Sequence, residues 1–217
     1  MEIIYYDDNL IVAIKPAGVI STDEPGGMPS LLREALGNES ADIRTVHRLD
    51  QVVSGLMVFA QNPGTASELS RQIRMGEFKK TYLAVVHGAP PERRGRMEDI
   101  LLRSKEKRKT FVVSKPCRGS QEAVLDYHLL GSSGEKSLVE INLITGRTHQ
   151  IRAQFTHRRM PLVGDRKYGG RDEGCNIALW SYSLGFTNPA TGRFMTFKVK
   201  PPREFPWTEF DPAIMPR

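Results

Sequence analysis

The sequence predicts an α+β fold with a largely antiparallel sheet. Strand-like runs outnumber helical ones, and they follow one another without the long intervening helices of a doubly wound βαβ fold. Within 138–143, Leu138, Glu140 and Asn142 alternate with Val139, Ile141 and Leu143, the two-residue period of a half-buried strand. The 217 residues suit one domain, or one domain with a large appendage. At 39% hydrophobic and 26% charged the chain is ordinary for a globular protein, and it is long enough to bury a core without disulfide or metal staples.

Taken in order, Ile3 to Tyr6 and Leu10 to Ile14 read as short strands around an Asp-Asp-Asn turn, the second ended by Pro16 and Gly18. Ser21 to Pro29 holds two Pro and two Gly and reads as a loop. Ser30 is the expected cap of a short helix that runs to Leu36 and stops at Gly37. Val52 to Ala60, rich in Val, Leu, Met and Phe, is a strand. Asn62 then caps a helix with Pro63 in its first turn. Ala66, Leu69 and Ile73 make its apolar stripe, and Gly76 closes it. Five further strands are expected at Thr81 to Val86, Thr110 to Val113, Ala123 to Leu130, Leu138 to Ile144 and Phe194 to Val199. The stretch from Arg93 to Lys109 has weak periodicity and is expected to leave the body as an arm or long loop, so that a single domain over 1–217 carries a basic arm at about 93–118.

Several classes are excluded. Cys117 and Cys175 lie far apart and form no CxxC pair, which argues against a disulfide-framed module and a structural zinc site. The opening MEIIYYDDNL lacks the basic and apolar regions of a signal peptide. The longest uncharged stretch, Gln51 to Ser67, is broken by Gln61, Asn62, Pro63 and Gly64, so no membrane span is expected. A reduced, cytoplasmic, monomeric enzyme or binding protein with no membrane partner is the expectation.

The net charge is +6, yet residues 93–118 alone carry +7 and residues 147–171 carry +6. The remainder of the chain is therefore acidic. Concentrated positive charge suits a polyanion, nucleic acid above all, although a solvated basic surface has the same composition.

Three patches resist a purely structural reading. Val46-His47-Arg48-Leu49-Asp50 puts an acid at the mouth of an apolar strand, a suitable place for a catalytic carboxylate, although an isolated Asp there is far more often a turn residue or cap. Phe78-Lys79-Lys80-Thr81-Tyr82 is a basic entry into a strand that carries a tyrosine; its plainer reading is a core tyrosine. Thr145-Gly146-Arg147-Thr148-His149-Gln150-Ile151-Arg152 is dense in polar groups directly after a strand. It makes a poor core and a good site, or else a capping turn with solvated arginines.

HRLD with SGL, then KKTYLAVVHG, then GRTHQIR, in this order, closely resembles the pseudouridine synthases of the RluA type. The opening from Tyr5 to Gly18 resembles their N-terminal strand pair and Lys-Pro-x-Gly turn, Gly164-Asp165-Arg166-Lys167-Tyr168-Gly169 their GDxxYG segment, and Phe186-Thr187-Asn188-Pro189 a late F-x-H-P segment. The match runs over about residues 3 to 200. Val53 stands where Thr is usual, Asn188 where His is usual, and Trp180 where His is common. An accessory N-terminal RNA-binding domain is not expected, because the match starts at residue 3.

The resemblance implies the pseudouridine synthase fold, with a mixed and largely antiparallel central sheet flanked by helices and loops. It implies conversion of uridine to pseudouridine in ribosomal or transfer RNA, with RNA as partner and no cofactor or metal. The chemistry needs a carboxylate as nucleophile or base, and the resemblance assigns it to Asp50. Arg147 is then the cation that offsets the cost of holding a charge in a dry pocket, and Tyr82 stacks on the uracil near carbon 5. Arg48 fills the space left when the base is flipped out. His47, Lys80, Thr148, His149, Gln150 and Arg152 are implied as further substrate-binding residues. An inactive RNA-binding or chaperone protein of the same fold is the alternative, but pure binding has no need of a buried carboxylate. A hydrolytic glycosidase usually needs two carboxylates, and the motifs hold one credible acid.

Overall fold

The computed structural model describes residues 1–170 and 172–216. In chain order the elements are β1 (Ile3–Tyr6), β2 (Leu10–Lys15), α1 (Met28–Leu36), β3 (Arg44–Thr45), β4 (Ser54–Ala60), α2 (Pro63–Arg74), β5 (Lys79–His87), β6 (Arg94–Ser104), β7 (Lys109–Val113), β8 (Ser120–Ser133), β9 (Lys136–Leu143), α3 (Gln150–His157), β10 (Leu179–Thr187) and β11 (Phe194–Lys198). The chain divides into two compact units, Met1–Lys80 with Trp180–Val199 and Thr81–Leu179 with Lys200–Arg217. The class is α+β, mixed and mostly antiparallel, as the sequence predicts.

In the first unit the strands run β1-β2-β4-β10, with β3 on β4 and β11 on β10. The β4–β10 pair is parallel; β1–β2, β2–β4, β3–β4 and β10–β11 are antiparallel. The core joins Leu10 and Val12 of β2, Leu56 and Val58 of β4, Leu69 of α2, Phe78, and Leu184 and Phe186 of β10. Phe78 and Phe186 stack with centroids 5.2 Å apart. Gly55 sits at φ 117°, and a Cβ there would lie 2.5 Å from the backbone N and O of Ser181. Only glycine lets β4 approach β10 this closely.

In the second unit the order is β5-β9-β8-β6-β7, antiparallel throughout. Leu101, Ala123, Ala153 and Tyr168 form a core cluster beneath Val112.

Most expected elements are present within a residue or two. Asn62 caps α2 by accepting from the Thr65 N–H at 2.8 Å. Gly37 ends α1 at φ 63°, but that helix starts at Met28 with Gly27 as its cap rather than at Ser30, since Pro29 is well suited to a first turn. The basic stretch is not a loop: β6 and β7 form a hairpin, and β6 also pairs along β8. Its period is hidden because Met97 and Leu101 are buried while Asp99, between them on the same face, is taken by Arg158 and Gln154 at 2.7 Å each. Further elements went unforeseen, the two-residue β3, β10 and α3 among them. Every residue of β10 except Thr187 is buried, so it has no alternation. Six of the eight residues of α3 are buried, Gln150, Arg152 and Gln154 among them, so no apolar stripe marks it. Among the described residues no helix is long and apolar enough to cross a membrane.

Candidate active site

The loop that carries Asp50 in the first unit is held from both sides. Upstream, the Ser21 hydroxyl donates to the Leu49 carbonyl at 2.8 Å and accepts from the Leu49 N–H at 3.1 Å. Downstream, the Gln51 carbonyl accepts from the Gly18 N–H at 2.8 Å and from Lys15 Nζ at 2.9 Å. Asp50 itself closes a tight turn through its carbonyl, which accepts from the Val53 N–H at 2.9 Å. Its side chain is half-buried.

Lys15 is the last residue of an otherwise apolar strand and has no exposed surface. Its ammonium donates to the carbonyls of Pro16 (2.8 Å), Val19 (2.6 Å) and Gln51 (2.9 Å), one acceptor for each proton. Burial pushes its pKa down from 10.5 to about 8, and the charge of Asp50 pulls it back up. A buried cation therefore lies within electrostatic reach of Asp50.

His47 accepts from the Val58 N–H through Nε2 at 3.1 Å and lies 5.6 Å from the Phe78 ring. Burial, reinforced by the charge of Lys80, takes its pKa down to about 3. The ring is neutral, with its proton on Nδ1, which has no hydrogen-bond partner among the described residues. Burial also lowers the pKa of Lys80. Arg48 is exposed.

In the second unit Tyr82 is buried on β5 opposite Ile141 of β9. The turn after β9 is knitted by Gln150, whose Oε1 accepts from the Thr145 hydroxyl (2.7 Å) and the Arg147 N–H (3.0 Å) while Nε2 donates to the Val124 carbonyl (3.1 Å). Arg147 directs Nε to the Glu122 carbonyl at 2.8 Å. The Thr148 carbonyl accepts from the Thr110 hydroxyl at 2.9 Å. His149 adopts φ 55° and meets the Tyr168 hydroxyl through Nδ1 at 2.9 Å. Arg152 is buried and forms two 2.8 Å bonds with Asp165, its guanidinium 5.0 Å from the Tyr168 ring. Burial raises the pKa of the Tyr168 phenol, which stays protonated and bridges to Thr110.

In the first unit a carboxylate on a pinned turn with a buried cation near it can serve acid–base or nucleophilic chemistry; in the second, a buried tyrosine on a strand and a turn bearing arginine offer an aromatic face and positive charge. The family model for RNA pseudouridylate synthase matches residues 9–157. The chain belongs to the RNA pseudouridine synthase family. It is 32% identical to the uncharacterized RNA pseudouridine synthase YlyB of Bacillus subtilis over 215 residues, which is 94% of this chain and 70% of that protein. It is 35% identical to the ribosomal large subunit pseudouridine synthase D of Borreliella burgdorferi over 200 residues, 85% of this chain and 60% of that one. Among solved structures it is similar to human RNA pseudouridylate synthase domain containing 1, with TM-score 0.80, 25% identity, and 95% and 85% of the two chains covered. The enzyme class is thus RNA pseudouridine synthase, an isomerase.

In this synthase the expected residues fall into groups. Asp50 stands with Lys15, and His47 with Lys80. Arg147, Thr148, His149, Gln150 and Arg152 share one turn and the helix it enters. Gln150 and Arg152 have internal work, the first closing the turn and the second in a buried ion pair. His47 is likewise engaged with the β4 backbone. Asp50 and Arg147 belong to different units. Sequence reasoning missed the work of Lys15, Ser21, Thr110, Asp165 and Tyr168. A lysine ending the run LIVAI was the available signal for the first. The three departures sit at structural positions. Val53 is buried, Trp180 donates to the Val199 carbonyl at 2.7 Å, and the Asn188 side chain accepts from the Ala190 N–H at 2.9 Å.

Proposed function

We propose that this synthase isomerises a uridine of large-subunit ribosomal RNA, with Asp50 as the reacting carboxylate. The observation that carries the assignment is the pinning of the Asp50 turn, with Leu49 fixed by Ser21 and Gln51 by Gly18 and the buried Lys15. Preorganisation of this kind suits a group that must meet a reacting atom in one geometry. The ribosomal target is favoured by the names of its relatives from Borreliella burgdorferi and Neisseria meningitidis, both ribosomal large subunit pseudouridine synthase D.

In the reaction the bond between nitrogen 1 of uracil and the ribose breaks, the base turns over, and carbon 5 takes the ribose. The proton lost from carbon 5 is balanced by one gained at nitrogen 1, so the step is an isomerisation with no co-reactant. Asp50 acts as nucleophile or base toward the nucleoside. Tyr82 stacks on the uracil, and Arg147 supplies positive charge. The target base leaves its stack to be reached, and Arg48, exposed and planar, fills the vacated space. His47, Gln150 and Arg152 act as positioning residues, while Lys80, Thr148 and His149 are nearer the RNA.

Pseudouridine mapping of large-subunit ribosomal RNA from cells lacking the protein tests this. One missing modification, restored by the purified wild-type protein, is expected. A full ribosomal complement with a gap in transfer RNA moves the target. RNA binding without new pseudouridine points to the inactive alternative, and released uracil to the glycosidase.

A further inference from the structure

The β6–β7 hairpin carries a feature that phosphate contacts do not use. Phe111 of β7 is 38% exposed in the middle of the most basic stretch of the chain. Lys107 and Lys109 place their ammonium groups 5.8 and 5.7 Å from its ring centroid. A single exposed aromatic residue is common on a protein surface. Phe111 differs in the company it keeps and in how firmly its strand is held.

Its neighbour Thr110 is buried and bonded three times. Its N–H donates to the Tyr168 hydroxyl at 2.7 Å, its carbonyl accepts from that hydroxyl at 3.1 Å, and its own hydroxyl donates to the Thr148 carbonyl at 2.9 Å. Lys109 also lies over Tyr168, 4.6 Å from the ring centroid. Thr148 directly follows Arg147. The strand bearing Phe111 is therefore fastened, within the second unit, to the turn that bears a proposed catalytic residue.

We infer that Phe111, flanked by Lys107 and Lys109, is a stacking platform for an unpaired nucleobase of the substrate RNA, outside the catalytic pocket. The reading rests on RNA as the substrate and commits to a single-stranded nucleotide as occupant. Charge complementarity argues for it: residues 93–118 carry a net +7. An aromatic ring inside a basic stripe is what single-stranded nucleic acid uses, bases on the ring and phosphates on the cations. When RNA arrives the ammonium groups pass from the ring to the phosphates beside the stacked base, which frees the ring.

The test separates the base from the charge. Binding is measured with a fluorescein-labelled uridine dodecamer and with an abasic dodecamer of the same backbone. Phe111→Leu keeps an apolar strand residue but removes the π face. It should weaken binding of the uridine oligomer about tenfold, the order of loss when one stacking ring is removed, and leave the abasic oligomer within about twofold. Phe111→Trp should restore the uridine affinity. Equal affinities of wild type and Phe111→Leu for the uridine oligomer, or equal losses on both oligomers, would overturn the platform and leave Phe111 as a surface residue under lysine stems. Failure of the wild type to form pseudouridine would instead count against the proposed reaction, while the dodecamer comparison still decides the platform.

Discussion

Asp50→Asn keeps the backbone bonds of the turn, which run through Leu49, Asp50 and Gln51. The carboxamide cannot act as nucleophile or base, so turnover should fall by at least about a hundredfold. RNA affinity and the melting curve should stay near wild type. Single-turnover pseudouridine formation checks this, and activity within tenfold of wild type sinks the role of Asp50. Lys15 gives a pH signature with two opposed parts. A lysine in the unfolded chain keeps its proton to about 10.5, whereas Lys15 in the fold loses it near pH 8 because it is buried. Between those values the unfolded state binds more protons, so stability rises with pH through that window. Activity should fall through the same window, as the cation near Asp50 is lost. In Lys15→Met the activity trend should vanish, with activity low at every pH, and the stability trend should shrink to what the buried Lys80, whose pKa is also lowered, contributes; denaturation and rate measurements at pH 7.5, 8.5 and 9.5 decide it. The residues proposed for the chemistry stand in motifs whose spacing marks them. The residues that hold them were not legible: Ser21 reads as one more loop serine, and its bonds to Leu49 span 28 positions.

At the scale of elements, β9 alternates and was found, and β4, buried almost throughout, was found by its run of apolar residues. β10 is buried on both faces but is interrupted by Ser181, Ser183 and Gly185, and was not. α3 was missed because half of its buried residues are polar, and what allows that burial lies elsewhere in the chain. Arg152 depends on Asp165, 13 positions away, and Gln154 donates to Asp99, 55 positions back. No local pattern carries such pairings. The Arg152–Asp165 pair, with side chains 4% and 1% exposed, is the strongest case. Asp165→Asn removes one charge and leaves the other buried beside it, which should cost about 3–5 kcal/mol. Urea denaturation checks this. A loss below ~1 kcal/mol would mean that the Arg152 charge is met by other groups when Asp165 is neutral. Asp165→Asn should also loosen Tyr168, three residues on, and with it the Thr110 bonds that fasten the hairpin.

Across the whole molecule the distribution of charge was legible, but the structure carrying it was not. A segment of net +7 in a chain of net +6 leaves a slightly acidic remainder, and such asymmetry is a property of partners rather than of fold. The sequence suggested a free arm, whereas the charges ride on a paired hairpin whose turn is exposed from Lys105 to Arg108. A hairpin fixes the spacing of its cations, so contacts with phosphates would form there with little ordering cost. Arg103, Lys105, Lys107 and Arg108 are exposed, and none lies in the three motif patches. Replacing the first three by Ser and Arg108 by Asn keeps the fold, since Arg108 sits at φ 47°, a conformation asparagine tolerates. Lys109 is left in place over Tyr168. RNA binding should weaken, and its salt dependence should flatten by roughly 0.7 in log–log slope for each lost contact to single-stranded RNA. Turnover at saturating RNA should change little, because phosphate contacts position the substrate and take no part in the chemistry. Affinities measured from 50 to 300 mM salt decide it: parallel slopes for wild type and the four-residue variant would mean that the hairpin turn does not touch RNA.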